Sequence, residues 1–144
     1  MHAAHTEKSM LSPIVADIEF RKALCRDSGM PLPKEFPNAH SYYGIHHIRG
    51  GWVYREWFPN VQQVYLIGEF NNWDLNSHPM TDIGNGNWVL TFPGDDALWE
   101  GCKVKTVVDV NEHKSMHIPL CSKSIRYDSL RTIWCAEVVD DAKL

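Results

Sequence analysis

The sequence predicts an all-β chain, an immunoglobulin-like β-sandwich preceded by a short N-terminal α-helix, and three observations carry that prediction. The hydrophobic period is helical early in the chain and alternating from residue 41 onward. Turn formers punctuate the alternating part at short intervals: Gly50-Gly51, Pro59-Asn60, Asn71-Asn72, Gly84-Asn85-Gly86, Pro93-Gly94 and Asn111. The length, 144 residues with 44% hydrophobic and 22% charged, suits one globular domain. A (β/α)8 barrel needs on the order of 250 residues, so this stretch of chain cannot hold one.

Residues 1–10 show no periodicity and are expected to be disordered. Ser12-Pro13 suits a helix start, because serine caps free N–H groups and proline at the first helical position has none to lose. Leu11, Ile14, Val15, Ile18 and Cys25 recur at helical spacing until Gly29, Pro31 and Pro33 end the pattern, which predicts a helix over about 13–27. Three prolines between Met30 and Asn38 make a linker, so 11–39 forms a helix-and-linker unit and 40–144 the sandwich. Strands are predicted over 42–48, 52–58, 62–69, 87–92, 102–110, 115–120 and 132–139. Trp52, Tyr54, Trp57, Phe58, Trp88 and Phe92 fall on strand patterns and are expected in the core. Within 102–110, alternation places Cys102, Val104, Thr106, Val108 and Val110 inward, with Lys103, Lys105 and Asp109 solvent-facing.

A net charge of −4, from 14 Lys and Arg against 18 Asp and Glu, argues against a nucleic-acid partner. The first residues carry no apolar stretch of signal-peptide length, and no run is long enough to span a membrane. Cys25, Cys102, Cys121 and Cys135 are widely spaced without a Cys-x-x-Cys pair, which suits free thiols and a cytoplasmic chain.

The most informative run is Val64-Tyr-Leu-Ile-Gly-Glu-Phe-Asn-Asn-Trp-Asp74. A strand ends near Phe70, and two asparagines then present an indole at the start of a polar loop. A pyranose lined on one face with C–H bonds packs on such a ring, while carboxamides supply both donors and acceptors to its hydroxyls. The competing reading is that Trp73 caps the open end of the sandwich and that Asn71 and Asn72 merely make the turn.

Tyr43-Gly-Ile-His46, Tyr54-Arg-Glu-Trp-Phe-Pro-Asn60, the run 64–73, Ser77-His-Pro-Met80, Gly86-Asn-Trp-Val89, Pro93-Gly94 and Gly101-Cys-Lys-Val-Lys105 stand in one order and spacing. In this the chain resembles, over about residues 40–140, the amino-terminal module of glycogen branching enzymes. The resemblance implies a family-48 carbohydrate-binding module of immunoglobulin-like fold, placed before an α-amylase-type barrel that cuts α-1,4-glucan and rejoins it through α-1,6 bonds. The partners it implies are α-1,4-glucan (glycogen, starch, malto-oligosaccharides) and the catalytic barrel of the parent chain. The glycogen-binding module of AMP-activated kinase β subunits shares the Gly-x-Phe-Asn-x-Trp segment, and stand-alone tethering of another polypeptide to glycogen is the alternative role.

Carried over from those modules, Trp73 matches the stacking tryptophan and Lys105 resembles a glucan-holding lysine, with Asn71 and Asn72 beside them. The second stacking tryptophan of the kinase module has no counterpart in Val108-Asp-Val-Asn-Glu-His113, and its later asparagine has no secure match. One stacked ring contributes about 1 kcal/mol beyond its buried area, so binding through one platform is expected to be weak, on the order of millimolar.

No metal or cofactor is expected. His113 and His117 share a face, but no cysteine or carboxylate stands at motif spacing to complete a zinc set. Only one of His46 and His47 should face the core. Asp95-Asp96 and Asp140-Asp141 read as solvated turns, and Glu56 as a partner for Arg55 or a cross-strand neighbour, so no catalytic residue is assigned. The expected function is a non-catalytic module that holds glucan loosely or braces a barrel.

Overall fold

A computed structural model describes residues 16–25 and 41–143. The expectations for the chain start, for the ends of the 13–27 helix and for the proline-rich linker lie outside the described residues, and residues 16–25 are helical, forming α1. Nine strands follow: β1 (Gly44–Ile48), β2 (Gly51–Trp57), β3 (Gln63–Gly68), β4 (Thr81–Gly84), β5 (Asn87–Pro93), β6 (Lys103–Val110), β7 (His113–His117), β8 (Ile125–Asp128) and β9 (Ile133–Glu137). They form two antiparallel sheets, ordered β1-β2-β5-β4 and β3-β6-β9-β8, with β7 also paired to β6. Six of the seven predicted strands are present with shifted ends, the seventh, 115–120, overlaps the earlier β7 over 115–117 only, and β4 and β8 are additional.

The inter-sheet core follows the predicted alternation. Trp52 and Tyr54 of β2, Trp88 and Phe92 of β5, Val64 and Leu66 of β3, and Val104 and Val108 of β6 pack together, while Trp57 forms a second cluster with Tyr43. Helix α1 belongs to this core as well, since Phe20 and Leu24 join the main cluster and Cys25 packs on the Tyr43–Trp57 cluster.

Polar side chains fasten α1. Arg21 Nη2 donates to Glu56 Oε1 at 2.7 Å and its Nε to Trp57 O at 3.1 Å. Glu56 is therefore buried and paired with the helix, in place of the expected pairing with Arg55 or a cross-strand neighbour, while Arg55 donates to Tyr42 O and stacks on the Tyr42 ring. Tyr54 OH donates to Glu56 Oε2 at 2.5 Å, so Thr106 Oγ1, 2.7 Å away, supplies the hydrogen of their mutual bond. The carboxylate also accepts the backbone N–H groups of Trp57 and Leu120. One turn earlier, Asp17 accepts Ile118 N–H and the Nδ1–H of His117, whose ring stacks on Phe20 at 4.2 Å.

Candidate functional site

The loop that carries Trp73 begins where β3 meets β6. Gly68 pairs with Val104, and a Cβ there would stand 2.4 Å from Lys103 O, so the backbones approach too closely for a side chain. Residues Glu69–Asn71 then make one 3-10 turn, which Glu69 Oε1 ties to β6 by accepting Lys103 N–H at 2.9 Å.

Asn71 organises the turn. Its Oδ1 accepts Gly68 N–H at 3.0 Å, and its Nδ2 stands 3.0–3.4 Å from Leu66 O, Asp74 O, Ser77 Oγ and His78 Nδ1. Both ends of the carboxamide are thus engaged within the protein. His78 is held by Ser77 Oγ and lies between Phe70 and Phe92, and burial lowers its pKa. Asn72 is exposed in the left-handed region, at φ 54 and ψ 34, which asparagine tolerates well.

Trp73 follows with φ 59 and donates its backbone N–H to Gly68 O at 2.8 Å. A bulky residue in this region is an outlier, costing about 1–2 kcal/mol. The indole is half-buried, and its Nε1–H is buried with no hydrogen-bond partner among the described residues. Over one face lies the guanidinium of Arg131, with Cζ 4.5 Å from the ring centroid.

Arg131 sits in the turn between β8 and β9 and is positioned by Asp128. Asp128 Oδ1 accepts Leu130 N–H at 3.0 Å and Arg131 N–H at 3.3 Å, while Oδ2 accepts Arg131 Nη1–H at 3.0 Å with Lys103 Nζ 3.9 Å away. Burial works against the charged carboxylate, but the hydrogen bonds from Arg131 and Leu130 outweigh it and hold the Asp128 pKa below its usual value.

Lys105 is not solvent-facing. Val104, Thr106 and Val108 are buried as predicted, so the strand phase holds, but Lys105 is only 7% exposed and donates its Nζ–H to Trp134 O. Ile67 and Val107 are also buried although they alternate with the inward residues, so the outer face of the sheet is covered around Lys105, while Lys103 and Asp109 on the same face are partly exposed. Burial lowers the Lys105 pKa, against the pull of Asp17. No hydrogen bond or ring contact joins Lys105 to Trp73 among the described residues. Of the expected set, Asn71, Asn72 and Trp73 share one turn, with Asn71 used internally and Asn72 left as the exposed carboxamide. Sequence reasoning missed Arg131; its only local signal is Asp128-Ser-Leu-Arg131, a side-chain-capped turn between two strands.

A second polar group lies where the chain returns to β1. His47 Nδ1 is 2.8 Å from Asp140 Oδ1 and its Nε2 3.0 Å from Asp95 Oδ1, with the ring stacked on Trp52 at 4.2 Å. His46 Nδ1 meets Asp141 Oδ2 at 2.8 Å, and Asp141 Oδ1 accepts His47 N–H. Asp140 and Asp141 are therefore not solvated turn residues, and Asp95 likewise has a histidine partner. Neither histidine is fully buried; His47, the cross-strand partner of core Trp52, lies on the inward face, and His46, one position earlier, takes the other face and meets Asp141.

A family model described as carbohydrate-binding module 48 (isoamylase N-terminal domain) matches residues 42–128, more than half of the chain. The chain belongs to that family. Among curated relatives, it is 36% identical over 110 residues to a 1,4-alpha-glucan-branching enzyme of Aspergillus oryzae, covering 74% of this chain and 14% of that one. Over 77 residues it is 51% identical to a 1,4-alpha-glucan-branching enzyme of Candida glabrata, covering 49% of this chain and 11% of that one. Among solved structures, a pullulanase from Anoxybacillus sp. LM18-11 complexed with maltotetraose superposes with a TM-score of 0.55 at 21% identity, over 77% of this chain and 16% of that one. At that identity the likeness speaks for the fold alone. The chain thus spans about one-seventh of the length of the Aspergillus relative. Within this carbohydrate-binding module, the family match includes the Trp73 loop and reaches Asp128, whereas Arg131 and α1 lie outside it.

Proposed function

We propose that this module is a non-catalytic α-glucan holder, with the Trp73 indole as its stacking platform and Asn72 as the exposed polar group beside it, carried by a chain whose remainder branches α-1,4-glucan. The observation that supports this most is how Trp73 is held. Its left-handed backbone costs about 1–2 kcal/mol and its unpartnered, buried indole N–H about 1–3 kcal/mol, a pattern of local cost that concentrates at binding sites. A ring serving only to close the sandwich would gain nothing from either. The names of the curated relatives supply the substrate class, and their greater length leaves room for catalysis elsewhere in a parent chain.

Holding a glucan near a catalytic site raises its local concentration without any chemistry in the module itself. With one aromatic platform the affinity is weak, on the order of millimolar. A second role, bracing the catalytic part, is favoured by the paired contacts of His46 and His47 with Asp140 and Asp141, which fix the segment after β9 against β1.

The test is a titration of the 144-residue protein with maltoheptaose, followed through the Trp73 indole N–H resonance. A saturating shift is expected, and calorimetric binding of the same sugar should be lost in Trp73→Ala. An unmoved resonance at sugar on the order of tens of millimolar removes the holding role.

A further inference from the structure

We propose that Arg131 sets the affinity of the Trp73 platform: its guanidinium occupies the indole face as an internal substitute for a sugar ring, and a glucan binds by displacing it. This rests on the reading of Trp73 as the stacking residue.

The cation and the sugar compete for one surface. The guanidinium lies 4.5 Å from the ring centroid, within the range of a cation–π contact, so a pyranose cannot lie on that face until it moves. Arg131 has room to leave, because its side chain is 41% exposed whereas that of Asp128 is 2% exposed. Departure does not strand the buried carboxylate. Asp128 keeps the backbone N–H groups of Leu130 and Arg131 on Oδ1 and has Lys103 Nζ 3.9 Å from Oδ2.

The exchange also suits the indole. A guanidinium has only donors, so Arg131 gives no acceptor to the unpartnered Trp73 Nε1–H, whereas a glucan carries many acceptor oxygens. The free protein therefore keeps an apolar ring covered by a weakly hydrated cation instead of exposing it to water.

The experiment compares maltoheptaose binding to the wild-type protein, Arg131→Ala, Trp73→Ala and the double variant, by calorimetry or chemical-shift titration. Removing an exposed cation–π competitor should make Arg131→Ala bind about two- to fivefold tighter. Trp73→Ala and the double variant should both lose binding. In the sugar-free protein the Arg131 side-chain resonances should carry a ring-current shift that disappears on saturation and in Trp73→Ala. Unchanged or weaker binding in Arg131→Ala, while Trp73→Ala still loses it, overturns the displacement and leaves the platform standing. Wild-type binding by Trp73→Ala overturns the platform itself, and the displacement with it.

Discussion

Arg21 and Glu56 form an ion pair across 35 positions of sequence, with Nη2 2.7 Å from Oε1 and side chains only 4% and 0% exposed. A buried pair of this kind is poor evidence of net stability, since desolvation offsets much of the attraction, but breaking it is costly. Glu56 also accepts Tyr54 OH, Trp57 N–H and Leu120 N–H, so one carboxylate links α1, β2 and the segment after β7.

Arg21→Ala should therefore lower unfolding free energy by about 3–5 kcal/mol, because an uncompensated carboxylate remains in the core. Arg21→Met with Glu56→Leu should recover part of that loss, the remainder reflecting the donors left by Glu56. Urea unfolding of the two variants measures this. A loss below about 1 kcal/mol in Arg21→Ala would show that α1 is peripheral to the fold.

The grip of His47 on Asp140 and Asp95 should depend on pH. Both ring nitrogens face carboxylate oxygens, which only accept, so the doubly protonated ring satisfies both and its pKa is raised above 6.5, chiefly by Asp140 and then by Asp95. That contribution to stability is fully present below 6.5 and fades as pH rises through the folded value. Asp141 acts in the opposite sense. Burial opposes its charge, but His47 N–H and His46 outweigh it and depress the pKa below 3.8, so its contribution holds above 3.8 and is lost as pH falls through the folded value. Glu100, which accepts Asp140 N–H, and Lys123, which acts on Asp141, also belong to the charged surroundings. Amide hydrogen exchange at Asp140 and Ala142 should be slowest between 3.8 and 6.5 after correction for intrinsic rates, and faster above. In His47→Gln the rise on the alkaline side should vanish; its persistence would assign the effect to another group.

Lys105 should be a structural residue. Its Nζ–H serves Trp134 O and burial lowers its pKa, so Lys105→Met keeps the apolar stem but orphans the carbonyl, at about 1–3 kcal/mol. Lys105→Glu should cost more, by placing an acceptor-only carboxylate against a carbonyl. Thermal unfolding ranks the variants, and Lys105→Met should bind maltoheptaose as the wild type does. A tenfold loss of affinity in a folded Lys105→Met protein would restore lysine to the glucan site.

The sandwich was legible because alternation and turn residues are local signals: Trp88, Leu90 and Phe92 share a face in the sequence as they do in β5. Strand β4 was not, since all four residues of Thr81–Gly84 are exposed and carry no alternation. Lys105 was misplaced for a different reason. Strand period reports which face a residue takes, and the outer face is buried at Ile67, Lys105 and Val107 through tertiary packing that no local pattern encodes. Trp73 could be singled out through its motif, but nothing near it points to a guanidinium 58 positions later. Arg21 and Glu56, each charged and each ordinary on a surface, meet only through the tertiary fold.

Gly86 and Gly84 offer a controlled pair for separating backbone strain from close contact. Both have positive φ, 82 and 95, so alanine at either incurs about 1–2 kcal/mol of left-handed strain. At Gly84 an added Cβ meets nothing within 4 Å among the described residues, whereas at Gly86 it would stand 2.8 Å from Trp57 Nε1 and 3.1 Å from Cε2. Trp57 has little freedom to retreat, being buried against Tyr43 and donating Nε1–H to Asn85 O at 2.9 Å. Gly86→Ala should therefore lose at least about 1 kcal/mol more than Gly84→Ala, through overpacking against the indole. The difference in urea midpoints at equal m-value reads this directly, and the Trp57 indole N–H resonance should shift only in Gly86→Ala. Equal losses would mean that the tryptophan yields and that strain alone sets the cost.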